Sequence, residues 1–219
     1  MIIAIDGPAG SGKSTVAKLV AKKLNFLYID TGAMYRALTL KVITHKVDPK
    51  DQKQVLALAK KTHIDLVPSS NGPIQVLLDG IDVSVAIREP RVTKLVSDIA
   101  RIKSVREILV STQRKLGSEK DSVMDGRDIG TVVFPDASRK FYVDATFEER
   151  VDRRYKELMK LNIQGVSRDQ VAQDLQNRDT IDSTREHSPL KQADDAIYVD
   201  TTNLGIDEVV SALLAHIKG

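Results

Sequence analysis

The densest chemistry in the chain lies in Gly7-Pro8-Ala9-Gly10-Ser11-Gly12-Lys13-Ser14-Thr15. The segment fits the pattern glycine, four residues, then Gly-Lys-Ser/Thr, in which backbone N–H groups of a glycine-rich turn cradle phosphate oxygens. Lys13 is the residue expected to neutralise the β and γ phosphates of a nucleoside triphosphate, and the Ser14 hydroxyl is the expected protein ligand of Mg²⁺. A second group with chemical capacity is a set of arginines, Arg36, Arg127, Arg178 and Arg185. They are expected in or beside turns or helix starts at the carboxyl edge of a parallel sheet, where they would receive a second anionic substrate. The four histidines, His45, His63, His187 and His216, have no metal-ligand spacing, and the chain contains no cysteine. Thiolate chemistry and disulfides are therefore excluded.

These residues need a scaffold, and the apolar pattern supplies one. Ile2 to Ile5 reads as a strand, Lys13 to Leu24 as a helix, Phe26 to Ile29 as a strand and Ala33 to Lys46 as a helix. Further buried strands are expected at Ser122 to Met124, Lys140 to Val143 and Ala196 to Val199, and a final amphipathic helix carries Ile206, Val209, Val210, Leu213, Leu214 and Ile217 on one face. The expected class is α/β: a P-loop core with a five-stranded parallel sheet flanked by helices. Two segments break the rhythm. Residues 63–88 read as a small antiparallel insert around the turn Pro68 to Pro73, and residues 150–168 as a helical lid beginning with Arg150, Arg153 and Arg154 and entering a polar loop at Asn162 to Ser167. The 219 residues are otherwise expected to form a single domain.

Composition narrows the class. Hydrophobic residues make up 42% and charged residues 29%, enough apolar material for a core. Lys+Arg 33 against Asp+Glu 30 leaves +3, too small a surplus to demand nucleic acid or an anionic membrane. Five tyrosines and four phenylalanines are not interleaved with basic residues as a base-stacking surface would require. No apolar run reaches the length of a membrane span, and Met1 to Ile5 leads straight into Asp6 and Gly7 without a cationic leader, so a cytoplasmic monomer without membrane or nucleic-acid partners is expected. A nucleotide switch is disfavoured, because no second strand is read with the aspartate and nucleotide-sensing segments that a switch needs.

Four stretches decide among the remaining phosphate-loop enzymes: Asp30-Thr31-Gly32-Ala33-Met34-Tyr35-Arg36, Ile87-Arg88-Glu89-Pro90, Asp125-Gly126-Arg127-Asp128-Ile129-Gly130-Thr131-Val132-Val133-Phe134-Pro135, and Arg178-Asp179 with Asp182 and Arg185. With them the chain resembles the bacterial cytidylate kinases essentially end to end. That resemblance implies ATP as donor, CMP or dCMP as acceptor, and Mg²⁺ as cofactor. It implies that Thr31, Arg36, Arg127 and Arg185 hold the CMP phosphate, that Ser97, Arg106 and Asp128 face the cytosine, and that Arg178 and Asp182 contact the sugar. A carboxylate can accept from the cytosine amine while an arginine donates to the ring acceptors; uracil would oppose a carbonyl to the carboxylate. Lys13, Arg127 and Arg185 are the expected catalytic residues, and Arg154 is expected to join the phosphate loop in binding ATP beneath the lid. The attacking group is already an anionic phosphate oxygen, so no general base is needed. Alternatives are a kinase of the same core acting on UMP, AMP or a metabolite hydroxyl, or a nucleotide-dependent nucleic-acid-binding module. Asp125 is open between the hydration shell of Mg²⁺ and a cap on the Gly126 turn, and Arg88 between a phosphate ligand and a hinge anchor.

Overall fold

The computed structural model describes residues 1–67, 74–160 and 165–218, which fall into two units: residues 1–28 with 120–219, and residues 29–119. At the centre of the first unit is β1 (Ile2–Asp6), whose Ile3, Ala4 and Ile5 are fully buried, as a strand covered on both faces requires. The sheet order is β2-β6-β1-β7-β8, with β2 Leu27–Asp30, β6 Ser122–Gly126, β7 Arg139–Asp144 and β8 Ile197–Asp200. The expected strands are all present, each shifted or extended by a residue or two at its ends. Their pairing is parallel, and the register sets Asp6 level with Gly126 on one side and Tyr142 on the other. Three strands therefore end together at one carboxyl edge. Parallel strands joined by crossovers deliver ligand-binding loops to that edge.

Helix α1 (Lys13–Leu24) follows β1 as the pattern dictates, burying Val16, Ala17, Val20 and Ala21 at helical spacing. Three helices of the second unit, α3 (Gln52–Ala59), α4 (Pro90–Ala100) and α5 (Lys103–Glu119), follow α2 (Thr31–Thr44). Asp30 caps α2 by accepting from the Ala33 N–H at 2.9 Å, so this helix starts two residues before the expected Ala33. The apolar faces meet in a core of Leu38, Val42, Val55, Ile87, Val92, Ile99 and Val105.

The expected antiparallel insert is a three-stranded sheet, β3 (Ile64–Val67), β4 (Gln75–Leu78) and β5 (Ile81–Asp82). Ile64 faces Leu78 and Val67 faces Gln75, while Asp79-Gly80, a pair favoured in two-residue hairpin turns, joins β4 to β5. The turn expected at Pro68 to Pro73 lies outside the described residues. In the first unit, α6 (Phe147–Lys160) and α7 (Arg168–Thr184) bury Val151, Val171 and Leu175 against Ala9 of the phosphate loop. Part of the polar loop expected between them, residues 161–164, is likewise outside the described residues. The chain closes with α8 (Ile206–Lys218). Among the described residues no helix is long and apolar enough to cross a membrane.

Candidate active site

The loop between β1 and α1 is built for close backbone approach. A Cβ on Gly7 would sit 2.0 Å from the Val143 carbonyl oxygen, and one on Gly10, whose φ is +81°, would sit 2.9 Å from the Arg150 carbonyl oxygen. No other residue fits at either place without moving backbone. Lys13 opens α1, is almost wholly buried, and its ammonium donates to the Pro8 carbonyl at 3.0 Å, spanning the loop. The N-terminal N–H groups of α1 and the Lys13 charge thus converge on one turn, the arrangement that favours a bound polyphosphate.

The next residue joins the loop to β6. The Ser14 hydroxyl donates to Asp125 Oδ2 at 2.5 Å, and the Tyr28 hydroxyl donates to Oδ1 of the same carboxylate at 2.8 Å. Asp125 is buried near the end of β6, beside Ile5 in the register, so the strand expected from Ser122 does close on this aspartate. Its contact with Ser14 joins it to the hydroxyl expected to bind Mg²⁺. A hydroxyl and a carboxylate are the oxygen donors a hard cation takes when phosphate and water complete its shell. Among the described residues there is no cluster of three or more His, Cys, Asp and Glu that would form an all-protein cage.

The outer side of the loop is held by α6. Arg150 donates from Nη1 to the Ala9 carbonyl at 3.1 Å and from Nε to the Ala145 carbonyl at 3.2 Å, and pairs with Asp179. Arg153 reaches the Ser11 carbonyl at 3.4 Å and the Thr201 carbonyl at 2.6 Å, and the Thr201 hydroxyl lies 3.1 Å from the same Ser11 carbonyl. Anchoring these carbonyls outward leaves the N–H side of the loop to the ligand. In this structure, then, two of the three arginines expected in the lid grip loop backbone, a role invisible to spacing because it joins residues 142 positions apart. Arg154, expected at ATP, pairs with Glu157 at 2.8 Å, three residues along the helix. Arg153→Met is expected to raise the KM for ATP by about five- to tenfold, the worth of roughly 1 kcal/mol of hydrogen bonding, with the Kd for CMP unchanged; steady-state kinetics with calorimetry reads both.

A second cluster forms after β6. Arg127 donates from Nε to Asp182 Oδ2 at 3.0 Å and from Nη1 to the Gly126 carbonyl at 3.1 Å. Arg185, with its side chain 3% exposed, lies 3.7 Å from Asp128 and 3.9 Å from Asp182, and donates to the Ser188 carbonyl at 2.6 Å. Burial alone would raise the Asp182 carboxyl, but the guanidiniums of Arg127, Arg178 and Arg185 outweigh it and hold the group below the ordinary carboxylate value. Arg178 shows the reverse strain: burial, with Arg127 and Arg154 nearby, lowers it to about 10, and its buried Nε has no hydrogen-bond partner among the described residues. Arg127 directly follows β6, and Arg185 stands at the C-cap of α7 beside the bend at 186–188, both next to turns as expected, whereas Arg178 sits in the interior of α7 and Arg36 within α2. The misplacement has a physical reason. α7 buries only Val171, Leu175 and Asp182, leaving too weak an apolar stripe to mark its boundaries.

The second unit carries the other expected acceptor-binding residues. Thr31 is the buried first residue of α2. Arg36 donates to the Thr93 hydroxyl at 2.8 Å and to the Ile87 carbonyl at 3.3 Å. Ser97 and Arg106 are buried on α4 and α5, and Arg106 donates to the Ala100 carbonyl at 3.1 Å with its guanidinium 5.2 Å from the centre of the Tyr35 ring. A buried arginine stacked on a ring is oriented before any ligand arrives.

Comparison with known proteins fits this arrangement. Residues 3–219 match the family described as Cytidylate kinase. The chain belongs to that family. It is 48% identical over 218 residues to the cytidylate kinase of Fusobacterium nucleatum, covering 100% of this chain and 97% of that protein. With the cytidylate kinase of Bacillus pumilus it shares 51% identity over 212 residues, 97% of this chain and 93% of the relative. Family membership makes the protein an ATP-dependent nucleoside monophosphate kinase that phosphorylates CMP and dCMP. The fold alone is shared more widely: a shikimate kinase from Bacteroides thetaiotaomicron superposes with a TM-score of 0.51 at 12% identity, over 100% of this chain and 99% of that one.

Tyr28 and Thr201 were not among the expected site residues, and neither carried a readable signal. Asp125, left open between the hydration shell of Mg²⁺ and a cap on the Gly126 turn, carried one: an apolar strand closing on an acid before a glycine.

Proposed function

We propose that the γ-phosphoryl of ATP, held by Gly7 to Thr15, passes in line to a phosphate oxygen of CMP or dCMP. The supporting observation is the crowding of Arg127, Arg178 and Arg185 around Asp182, with a buried guanidinium nitrogen on Arg178 left without a hydrogen-bond partner among the described residues. Cations packed this closely call for an anion, and a nucleotide phosphate supplies two charges and several acceptor oxygens. Thr31, Arg36, Arg127 and Arg185 take the acceptor phosphate. Ser97, Arg106 and Asp128 read the cytosine, and Arg178 and Asp182 hold the sugar.

Catalysis then consists of alignment and charge neutralisation. Lys13 holds the β and γ oxygens, and Arg127 and Arg185 offset charge on the transferring group. Arg154 exchanges Glu157 for ATP, and the lid excludes water as a competing acceptor. Ser14 and Asp125 are the residues that would hold Mg²⁺. Held there, the cation would supply positive charge that offsets the charge of the transferring phosphoryl group. The enzyme acts as a monomer in the cytoplasm, without nucleic-acid or membrane partners.

Asp128→Ala tests the base reading. The kcat/KM preference for CMP over UMP is expected to narrow by about five- to 150-fold, corresponding to roughly 1–3 kcal/mol for a well-placed base contact. An unchanged preference would place the readout elsewhere.

A further inference from the structure

We propose that Asp6 is a positioning residue for the acceptor nucleotide: its carboxylate fixes the backbone of the turn that carries Arg127 and Asp128. Asp6 is the last residue of β1 and directly precedes Gly7, so its backbone begins the ATP-binding loop. Its side chain turns across the sheet edge instead. Oδ1 accepts from the Ile129 N–H at 2.9 Å, and Oδ2 accepts from the Gly130 N–H at 2.8 Å. Those are the opening N–H groups of a π turn, Ile129–Val133, which follows Arg127 and Asp128. The opening N–H groups of any helical turn need an acceptor. Asp128 stands at the N-cap position and has the right side chain, yet it makes no cap hydrogen bond; its carboxylate lies 3.7 Å from Arg185. Asp6 performs the capping from another strand, 123 residues away, and leaves Asp128 oriented toward the arginine cluster.

The other end of the segment is held too. The Lys140 ammonium donates to the Pro135 carbonyl and to Asp195 Oδ1 at 2.9 Å. Its aliphatic stem passes so close to Gly130 that an added Cβ would lie 3.1 Å from Lys140 Cδ and 3.5 Å from Asp6 Oδ2. The segment 128–135 is thus seated on β1 and β7 with little play. Burial pushes the Asp6 carboxyl up to about 7 despite the two N–H donors that its oxygens accept from.

The proposal rests on the reading of Arg127 and Asp128 as acceptor-binding residues. Asp6→Asn in the full chain keeps the shape but sets an NH₂ against one of the two N–H groups. Amide hydrogen exchange at Ile129 and Gly130 is expected to accelerate, the KM for CMP to rise about tenfold, the CMP over UMP preference to fall several-fold, and the KM for ATP to stay within about twofold. Faster exchange with unchanged CMP kinetics and preference would overturn the proposal, as would equal rises in both KM values. If Asp128→Ala narrows the preference and Asp6→Asn does not, the fault lies with Asp6; if neither does, the reading of Asp128 has failed. Should the asparagine variant not fold, Gly130→Ala crowds the same contact while keeping both N–H groups. The same CMP-selective rise supports the proposal, and unchanged CMP kinetics overturns it.

Discussion

Lys13→Ala is expected to lower kcat by about a thousandfold or more, while CMP binding stays measurable by calorimetry. The ammonium is nearly buried and donates to the Pro8 carbonyl at 3.0 Å, within the loop whose N–H groups would face phosphate. Charge that develops on the transferring group is stabilised most by a fixed cation in a place poor in water. An alanine leaves the helix start and the glycine geometry intact, so donor binding weakens less than turnover. Single-turnover rates with saturating ATP and CMP separate the two effects. Turnover near the parent rate would remove the phosphate-loop assignment.

Arg127→Ala is expected to reduce kcat/KM for CMP by about 10²- to 10³-fold with little change in ATP affinity. Its guanidinium lies 3.0 Å from Asp182 and is 18% exposed, so it is partly screened by water but close enough to hold that carboxylate ionised. Removing it deletes a proposed phosphate ligand and also leaves Asp182 with Arg178 and Arg185. A lower Tm is expected alongside the kinetic loss. Arg127→Lys restores charge without the planar fork, so recovery of only a small part of the activity is expected. Full recovery with lysine would show that position 127 supplies charge alone.

The comparison of sequence with structure divides by range of interaction. β1, the loop at Gly7 and α1 were legible because strand, glycine turn and helix are neighbours in the chain, and each rests on local rules of periodicity and backbone freedom. The five parallel strands were legible for the same reason. α7 was not: a helix with so few apolar residues announces itself weakly, and with it went the true setting of Arg178. What the sequence could not show were ties between distant strand ends. The Ser14–Asp125 contact, the grip of Arg150 and Arg153 on loop carbonyls, and the capping of the 129–133 turn by Asp6 all depend on register between β1, β6 and β7. Resemblance to cytidylate kinases supplied the expected acceptor-binding residues; the structure adds the partners that hold several of these side chains in place.

The most direct measurement is ADP release by the purified enzyme with Mg-ATP and each nucleoside monophosphate offered in turn. CMP and dCMP are expected to be phosphorylated far faster than UMP and AMP. Equal rates with all four, or no release with any, would contradict a kinase that recognises its acceptor by the edge of a cytosine.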